Sequence, residues 1–323
     1  MVALRIRPIS ALFAVPLVVA LLGLATAGAA AAKGSGSTTS TDGLVHRRMT
    51  SPARTVVSTT AGRWVATFTD GAFTVTLAGL ERTLTESSAT SAVRSTTWVR
   101  VLPAPFTGTV DAAWLTAARA DTAPDVLAMA AEYLAGAAEV REGAGLLVSS
   151  DASYGPLLAD GTRQEGSDWN DYLGVDGVYG GTTDAPELHQ AGALDCSGYM
   201  RMLWGRRAGL PLILTPDGRA IPRRAYEIQQ SAPGIVTIAN RGSQVTSFDR
   251  LAPGDLVFFD AATDDGTQID HMGMYLGLDT AGRHRFVSSR KAIDGPTMGD
   301  YRGMSVLDGT GLYAKAFRSA RRL

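Results

Sequence analysis

Between residues 54 and 102 the chain alternates apolar and polar side chains, a pattern typical of β-strands with one buried face. The clearest signal is a hairpin in which Trp64 to Thr69 and Phe73 to Leu77 flank an Asp70-Gly71 turn. Residues 82–85 and 97–102 add two further strands. We therefore predict a small β-rich module over residues 54–105. Its threonine-rich strand faces could contact polysaccharide or simply face solvent.

Helical periodicity follows Pro103-Ala104-Pro105 and predicts one helix over 110–119 and a second from Thr122 to Gly136. These helices form a predicted connector over 106–150. Residues 149–171 are rich in glycine, aspartate and serine, which is typical of a loop.

The C-terminal half changes from a polar turn to an apolar-periodic helix at Asp195, and this helix should end near Gly209. Apolar runs then predict strands over 256–259, 271–278 and 285–289, and residues 305–313 could contain another.

The N-terminus combines Arg5 and Arg7 with an apolar run from Ala11 to Leu24 and small residues up to Ala32. This is the pattern of a secretory signal peptide over residues 1–32, because the apolar run is short for a retained membrane anchor. Residues 33–53 begin with a Gly/Ser/Thr-rich stretch and are predicted to form a linker. We expect a secreted protein.

Composition narrows the class of protein. At 323 residues the chain can build two modest domains, and its 30 basic and 31 acidic side chains nearly cancel. No basic patch indicates nucleic acid, and no run after the leader is apolar enough to cross a membrane. Signatures of phosphate-cradling and dinucleotide-binding loops are absent, so no cofactor is expected. No H-E-x-x-H helix occurs and the four histidines are scattered, which disfavours a metal hydrolase.

The single cysteine directs attention to one site. Asp195 is a favourable N-cap, so Cys196 should lie in the first helical turn, where free N–H groups and the helix dipole favour a thiolate. A nucleophilic cysteine needs a base, and His271 opens a strand downstream. A cysteine on a helix followed by a histidine on a strand is a papain-like order. A buried inert thiol and an intermolecular disulfide remain the alternatives.

Three segments together resemble the NlpC family of bacterial cell-wall cysteine peptidases. The segments are Asp195-Cys196-Ser197-Gly198-Tyr199, Pro253-Gly254-Asp255-Leu256-Val257-Phe258-Phe259 and Asp270-His271-Met272-Gly273-Met274-Tyr275-Leu276-Gly277. The resemblance covers roughly residues 160–323. It implies an α+β fold with a papain-like domain over 151–323, in which the cysteine helix packs on an antiparallel sheet. It also implies hydrolysis of stem-peptide bonds in peptidoglycan, commonly between D-glutamate and diaminopimelate.

Two positions depart from the family pattern. Gly177 stands where a site-lining tyrosine is usual, and only Tyr179 keeps the aromatic character. Ser288 stands at the position of the third catalytic residue. A hairpin turning near Asp279-Thr280 would set Ser288 opposite His271, whereas His284 would lie a strand's length from the cysteine. A serine orients an imidazole more weakly than an amide or carboxylate.

The hypothesis is therefore a secreted, cell-wall-associated, monomeric endopeptidase that binds peptidoglycan stem peptides. Two long loops, 149–171 and 212–248, are expected to wall its cleft. The alternative is a weakened or inactive wall-binding protein. The candidate catalytic residues are Cys196, His271 and Ser288, and the candidate substrate-binding residues are Tyr179, Asp195, Ser197, Arg223 and Arg224.

Overall fold

A computed structural model describes residues 35–39, 43–143, 145–262 and 264–323, with side chains from residue 43 onward. The predicted signal peptide over residues 1–32 lies outside the described residues. Within the described part of the chain, every helix is too short or too polar to cross a membrane.

The N-terminal part of the chain folds into an antiparallel sheet in which each strand pairs with the next along the chain. Its six strands are β1 (Ser35–Thr39), β2 (Leu44–Thr50), β3 (Ala53–Thr59), β4 (Trp64–Thr69), β5 (Thr74–Leu84) and β6 (Val93–Val101). The predicted hairpin is confirmed as β4 and β5. The two strands predicted over 73–77 and 82–85 are one strand, β5, whose pairing with β6 is irregular between Ala78 and Arg82.

The prediction of a linker over residues 33–53 is wrong for residues 44–50. Strand β2 pairs with β3 along its whole length, from Leu44 opposite Thr59 to Thr50 opposite Ala53. The glycine and serine residues that suggested a linker precede this strand. The backbone of residues 44–50 is therefore fixed by ladder hydrogen bonds.

Two helices follow the sheet, α1 (Ala112–Ala120) and α2 (Val126–Ala131). Aspartates cap both, since Asp111 accepts from the amides of Ala113 and Trp114, and Asp125 accepts from the amide of Ala128. Asp125 is buried and also accepts a hydrogen bond from the amide of Val99, and it pairs with Arg82. This carboxylate thus joins the second helix to strands β5 and β6.

Short elements lead from the connector to the cysteine. They are β7 (Val140–Glu142), β8 (Leu146–Ser149), α3 (Trp169–Leu173), β9 (Gly177–Tyr179), β10 (Thr182–Asp184) and a 3₁₀ turn (Leu188–Gln190). The cysteine helix α4 spans Cys196–Arg201 and continues as a π-helix over Met202–Arg207. It ends before Gly209, which adopts a left-handed conformation, as predicted.

A second six-stranded sheet carries the C-terminal half. Its strands lie in the order β11-β16-β12-β13-β14-β15, and every pair is antiparallel. The elements are α5 (Ala225–Ser231), β11 (Ile235–Ile238), β12 (Leu256–Phe259), β13 (His271–Leu278), β14 (His284–Arg290), a 3₁₀ turn (Lys291–Ile293), β15 (Gly295–Thr297), α6 (Leu312–Ala316) and β16 (Phe317–Arg322).

The strand suggested within residues 305–313 is not formed. Residue Val306 makes only an isolated bridge with Arg285, and the final strand is β16. This strand lies between β11 and β12 although its sequence includes Arg318, Arg321 and Arg322. Its charged side chains therefore need buried partners.

The N-terminal sheet shares one hydrophobic core with the cysteine helix and the second sheet. Val93 and Val99 of β6 belong to the same buried cluster as Trp204 and as Met274 of β13. The backbone oxygen of Leu323 also accepts hydrogen bonds from both the amide and the hydroxyl of Thr74. The β-rich module is thus packed against the cysteine-bearing part rather than held by a chain connection alone.

Asp255 links the two sheets and should be important for stability. Its carboxylate forms two hydrogen bonds of 2.8 and 2.9 Å with Arg322, and Arg322 also donates to Thr69 of β4. Both partners of this ion pair are buried. We predict that Asp255→Ala lowers the free energy of unfolding by about 3 to 5 kcal/mol, because it leaves a buried cation without its partner. Urea denaturation measures this change.

The exposed pair of Arg141 and Glu139 is the matched control for that experiment. Glu139→Ala should change the unfolding free energy by about 0.5 kcal/mol or less, because water screens an exposed pair. Equal effects of the two substitutions would contradict the structural role of Asp255.

Candidate functional site

The first turn of the cysteine helix is held by Asp195. Its Oδ1 atom accepts hydrogen bonds from the amide of Gly198, at 2.7 Å, and from the hydroxyl of Ser197. Gly198 is needed for a close contact, because a Cβ atom there would lie 2.1 Å from the carbonyl oxygen of Ser167. The Cys-Ser-Gly segment therefore lets the loop before α3 pass directly over the helix.

Cys196 faces the start of strand β13. The backbone N–H of Met272, the residue after His271, acts on the thiol of Cys196 and lowers its pKa. The thiol is almost fully buried, with 6% of the residue exposed. The cysteine and the histidine, 75 residues apart in the chain, are thus brought to neighbouring positions by the packing of α4 on the sheet.

The imidazole of His271 lies among aromatic rings. Its centroid is 5.7 Å from that of Phe259 and 5.2 Å from that of Tyr313. Its Nε2 atom is buried and has no hydrogen-bond partner among the described residues. The ring is therefore positioned by packing on that side rather than by a polar third residue.

Burial keeps both candidate catalytic groups uncharged. Burial, with a smaller contribution from the carboxylate of Asp195, raises the pKa of the Cys196 thiol to about 12. Burial, with a smaller contribution from the cation of Arg290, lowers the pKa of His271 to about 3. Burial and Asp195 therefore act against the thiolate that the helix N-terminus was expected to favour.

Ser288 does not lie opposite His271. Strands β13 and β14 pair Met274 with Val287 and Tyr275 with Phe286. This register, continued to the start of β13, sets Arg290 opposite His271. The hydroxyl of Ser288 is buried without a hydrogen-bond partner among the described residues. The predicted pairing was wrong by two residues, because the turn is longer than the tight turn assumed and the pairing also shifts by one residue between Tyr275 and Gly277.

A cavity of about 370 Å³ opens in front of Cys196. Charged side chains dominate its wall. The carboxylates are Glu165, Asp195, Asp264, Asp265 and Asp270, and the cations are Arg224 and Lys291. Both long loops predicted to wall a cleft contribute to it. A polar ligand that carries charges of both signs would match this lining.

Three aspartates, two of which line the cavity, lie close enough together to share a cation. Ligand atoms of Asp260, Asp265 and Asp270 lie within 4.8 Å of one another. Asp260 is already paired with Arg318, and Asp270 accepts hydrogen bonds from two backbone amides. These bonds satisfy two of the three carboxylates without a metal.

Residues 174–319 match the model of the NlpC/P60 family. This part of the chain is an NlpC/P60 domain. Members of this family are generally cell-wall peptidases of the cysteine type, and some members are inactive. The predicted α+β fold with an antiparallel sheet and a cysteine-bearing helix is confirmed.

A solved structure described as similar to a lipoprotein of the NLP/P60 family, from Staphylococcus aureus subsp. aureus Mu50, is 23% identical to this chain, with a TM-score of 0.25. The similarity covers 47% of this chain and 38% of that one. The chain therefore spans well under half the length of that protein. No curated protein is significantly similar to this chain.

Two of the predicted substrate-binding residues of the NlpC/P60 domain, Arg223 and Tyr179, bond to other side chains of the protein. The guanidinium of Arg223 is paired with Asp195 at 2.7 Å and lies 3.6 Å from Asp168. The hydroxyl of Tyr179 accepts hydrogen bonds from Trp169 and Arg201. Neither residue lines the cavity, and their contact with substrate stays a prediction. Asp195, Ser197 and Arg224 do line it.

Tyr154 and Glu165 line the cavity beside Cys196 but precede the residues that match the family model. Sequence reasoning placed their loop at the cleft without selecting either residue. No sequence signal distinguishes Tyr154 and Glu165 from the other aromatic and acidic residues of residues 149–171. His284 lies at the far end of β14 and hydrogen-bonds Tyr275 at 2.8 Å, away from the cysteine.

Replacing Asp195 by asparagine should make the thiol more acidic. Asparagine keeps the helix cap, but it removes the negative charge that opposes the thiolate and leaves the cation of Arg223 less compensated. We predict that Asp195→Asn lowers the apparent pKa of Cys196 by about one unit and speeds its alkylation at pH 8 by up to about tenfold. Alkylation by iodoacetamide reports on Cys196 alone, because the chain has one cysteine.

The control for this experiment is Asp217→Asn, which removes an exposed carboxylate outside the cavity and should leave the alkylation rate unchanged. Slower alkylation of Asp195→Asn, with the fold intact by circular dichroism, would show that the charge of Asp195 does not act on the thiol.

Proposed function

We propose that the protein is a secreted peptidoglycan hydrolase that cleaves an amide bond of stem peptides, between D-glutamate and diaminopimelate, through Cys196 and His271. One observation supports this most directly: the sulfur of the only cysteine lies at the start of the histidine strand and lines a charged cavity of about 370 Å³. The family of residues 174–319 supports the same class of reaction.

The proposed reaction begins from a neutral thiol. His271 takes the proton from Cys196 as the sulfur attacks the amide carbonyl, and the imidazolium then protonates the leaving amine. Water hydrolyses the resulting thioester and restores the thiol. The backbone N–H of Cys196 would help to stabilise the oxyanion, a contribution of about 3 kcal/mol per donor. No metal or cofactor takes part in this scheme.

The charges of the cavity suit a stem peptide. Such a peptide carries free carboxylates and a free amine close to the proposed scissile bond. Arg224 and Lys291 offer positive charge, and Asp264, Asp265 and Asp270 offer negative charge in the same cavity. We propose that the carboxylates of the substrate lie toward the two basic residues and its amine toward the three aspartates.

The location and partners of the protein follow from the same proposal. A substrate in the cell wall requires export, which the predicted signal peptide over residues 1–32 would provide. We also propose that the monomer acts without a lasting membrane contact, with the N-terminal sheet available to contact glycan.

A second candidate is a cell-wall-binding protein without activity. The specific observation in its favour is that two buried polar atoms next to the site, Nε2 of His271 and the hydroxyl of Ser288, have no hydrogen-bond partner among the described residues. The imidazole then lacks the polar support that usually fixes its tautomer and orientation.

Cys196→Ala should abolish release of soluble fragments from purified peptidoglycan, because the nucleophile is lost. His271→Gln should lower the rate by about 100-fold or more, since it removes the general base. Ser288→Ala should change the rate by about twofold or less, because the hydroxyl makes no hydrogen bond that the substitution could break. Mass spectrometry of the released muropeptides identifies the bond.

The following results distinguish the peptidoglycan hydrolase from the inactive cell-wall-binding protein. Binding of Cys196→Ala to sedimented peptidoglycan, measured alongside, shows that the variant is folded and reaches its substrate. Peptidoglycan binding by the wild type without any fragment release would establish the wall-binding protein. Activity that survives iodoacetamide and disappears with a chelator would replace the cysteine mechanism by a metal mechanism.

A further inference from the structure

Arg290 is a buried cation without an ion-pair partner. Only 1% of the residue is exposed, and no carboxylate among the described residues lies within ion-pair distance of its guanidinium. It donates to the carbonyl oxygens of Gly303 and Gly299 and to the hydroxyl of Ser305. These neutral acceptors hold the group in place without an ion pair, and the carboxylates of Glu86 and Asp300 act on its charge only from a greater distance.

The position of this charge is fixed relative to the candidate base. The register of β13 and β14, continued from the pair of Met274 and Val287, sets Arg290 opposite His271. Both side chains contact the ring of Tyr313: the guanidinium carbon of Arg290 lies 5.0 Å from the ring centroid, and the imidazole centroid lies 5.2 Å from it. Arg290 and His271 are thus packed around one aromatic ring.

The other groups near His271 offset the positive charge of Arg290 only weakly. Asp195, at the N-cap of α4, favours the protonated imidazole but is itself paired with Arg223. Asp270 precedes His271 and is bonded to two backbone amides. Tyr313 of α6 is neutral, because burial raises its pKa, and the facing residue on β12 is Phe259.

We propose that Arg290 is a positioning residue of the site, whose cation, held by neutral acceptors without an ion pair, keeps the imidazole of His271 neutral and so keeps Cys196 as a thiol in the resting protein. The inference rests on the proposed roles of Cys196 and His271. An imidazolium beside this guanidinium would bring two buried like charges together, which is unfavourable. Cys196 and His271 therefore act by proton transfer during attack and not as a preformed ion pair.

The first test follows the ionisation of His271 in the wild-type protein. Nuclear magnetic resonance of the ¹⁵N-labelled protein follows the imidazole nitrogens of the four histidines against pH, and His271→Gln assigns one of the titrations. The proposal requires His271 to stay neutral down to about pH 5, because burial and Arg290 both act against its protonation. Ordinary titration of His271 near pH 6.5 overturns it.

The second test removes the charge. Arg290→Gln should raise the pKa of His271 by about one unit and accelerate alkylation of Cys196 by iodoacetamide at pH 7 by about tenfold, because the ion-paired form becomes more populated. Arg290→Lys keeps the charge and should behave like the wild type. Arg302→Gln is the matched control, since it removes an exposed arginine of the same region. An unchanged alkylation rate and titration in folded Arg290→Gln overturn the proposal.

These measurements use no peptidoglycan, so they separate this inference from the proposed function. A protein that releases no fragments, but shows both effects of Arg290→Gln, has lost the proposed function and kept the inference. A protein that hydrolyses peptidoglycan, but whose His271 titrates near pH 6.5, keeps the proposed function and contradicts the inference about Arg290. Where hydrolysis occurs, the acid limb of its pH–rate profile should move to higher pH in Arg290→Gln and stay at the same pH in Arg290→Lys.

Discussion

The ion pair between Asp195 and Arg223 holds the site together. Asp195 accepts hydrogen bonds from the amides of Gly166 and Gly198 and from the guanidinium of Arg223, so one carboxylate joins the loop before α3, the cysteine helix and the segment before α5. Although burial alone would raise its pKa, the charge of Arg223 and these hydrogen bonds bring it below its usual range. The carboxylate therefore stays ionised and keeps Cys196 a thiol.

The apolar runs made much of the second sheet predictable. Residues 256–259 and 271–278 are strands within the predicted bounds, because the residues of these runs are buried up to Leu276. Strand β16 was not predicted, because its sequence, Phe-Arg-Ser-Ala-Arg-Arg, resembles an exposed segment. Its arginines are buried by specific partners: Asp255 pairs with Arg322, and carbonyl groups at the end of α5 accept from Arg321. Pattern analysis does not detect such partners.

The pairing of the histidine strand could not be predicted from the alternation of residues. Alternation is the same for any shift by two residues, so only the turn determines which residues face each other. Here the connection runs from Asp279 to Arg283, closed by a backbone hydrogen bond between these two residues, with Gly282 in a left-handed conformation. Asp279 also caps the turn through its side chain. This longer connection, together with the irregular pairing between Tyr275 and Gly277, moves Ser288 away from His271. The register of Met274 and Val287, continued along the two strands, would set Arg290 opposite His271.

At Gly177, where the sequence departs from the family pattern, the role of the missing side chain is divided between two other tyrosines. At Gly177, a Cβ atom would lie 2.9 Å from the ring of Tyr179, so the missing tyrosine leaves space that Tyr179 fills while its hydroxyl is bonded to Arg201. An aromatic side chain is nevertheless present beside the thiol, because Tyr154 reaches it from the preceding loop. That loop lies outside residues 174–319. The wall of the site is thus built partly by residues that a family match does not include, and specificity must be sought there as well as in the matched motifs.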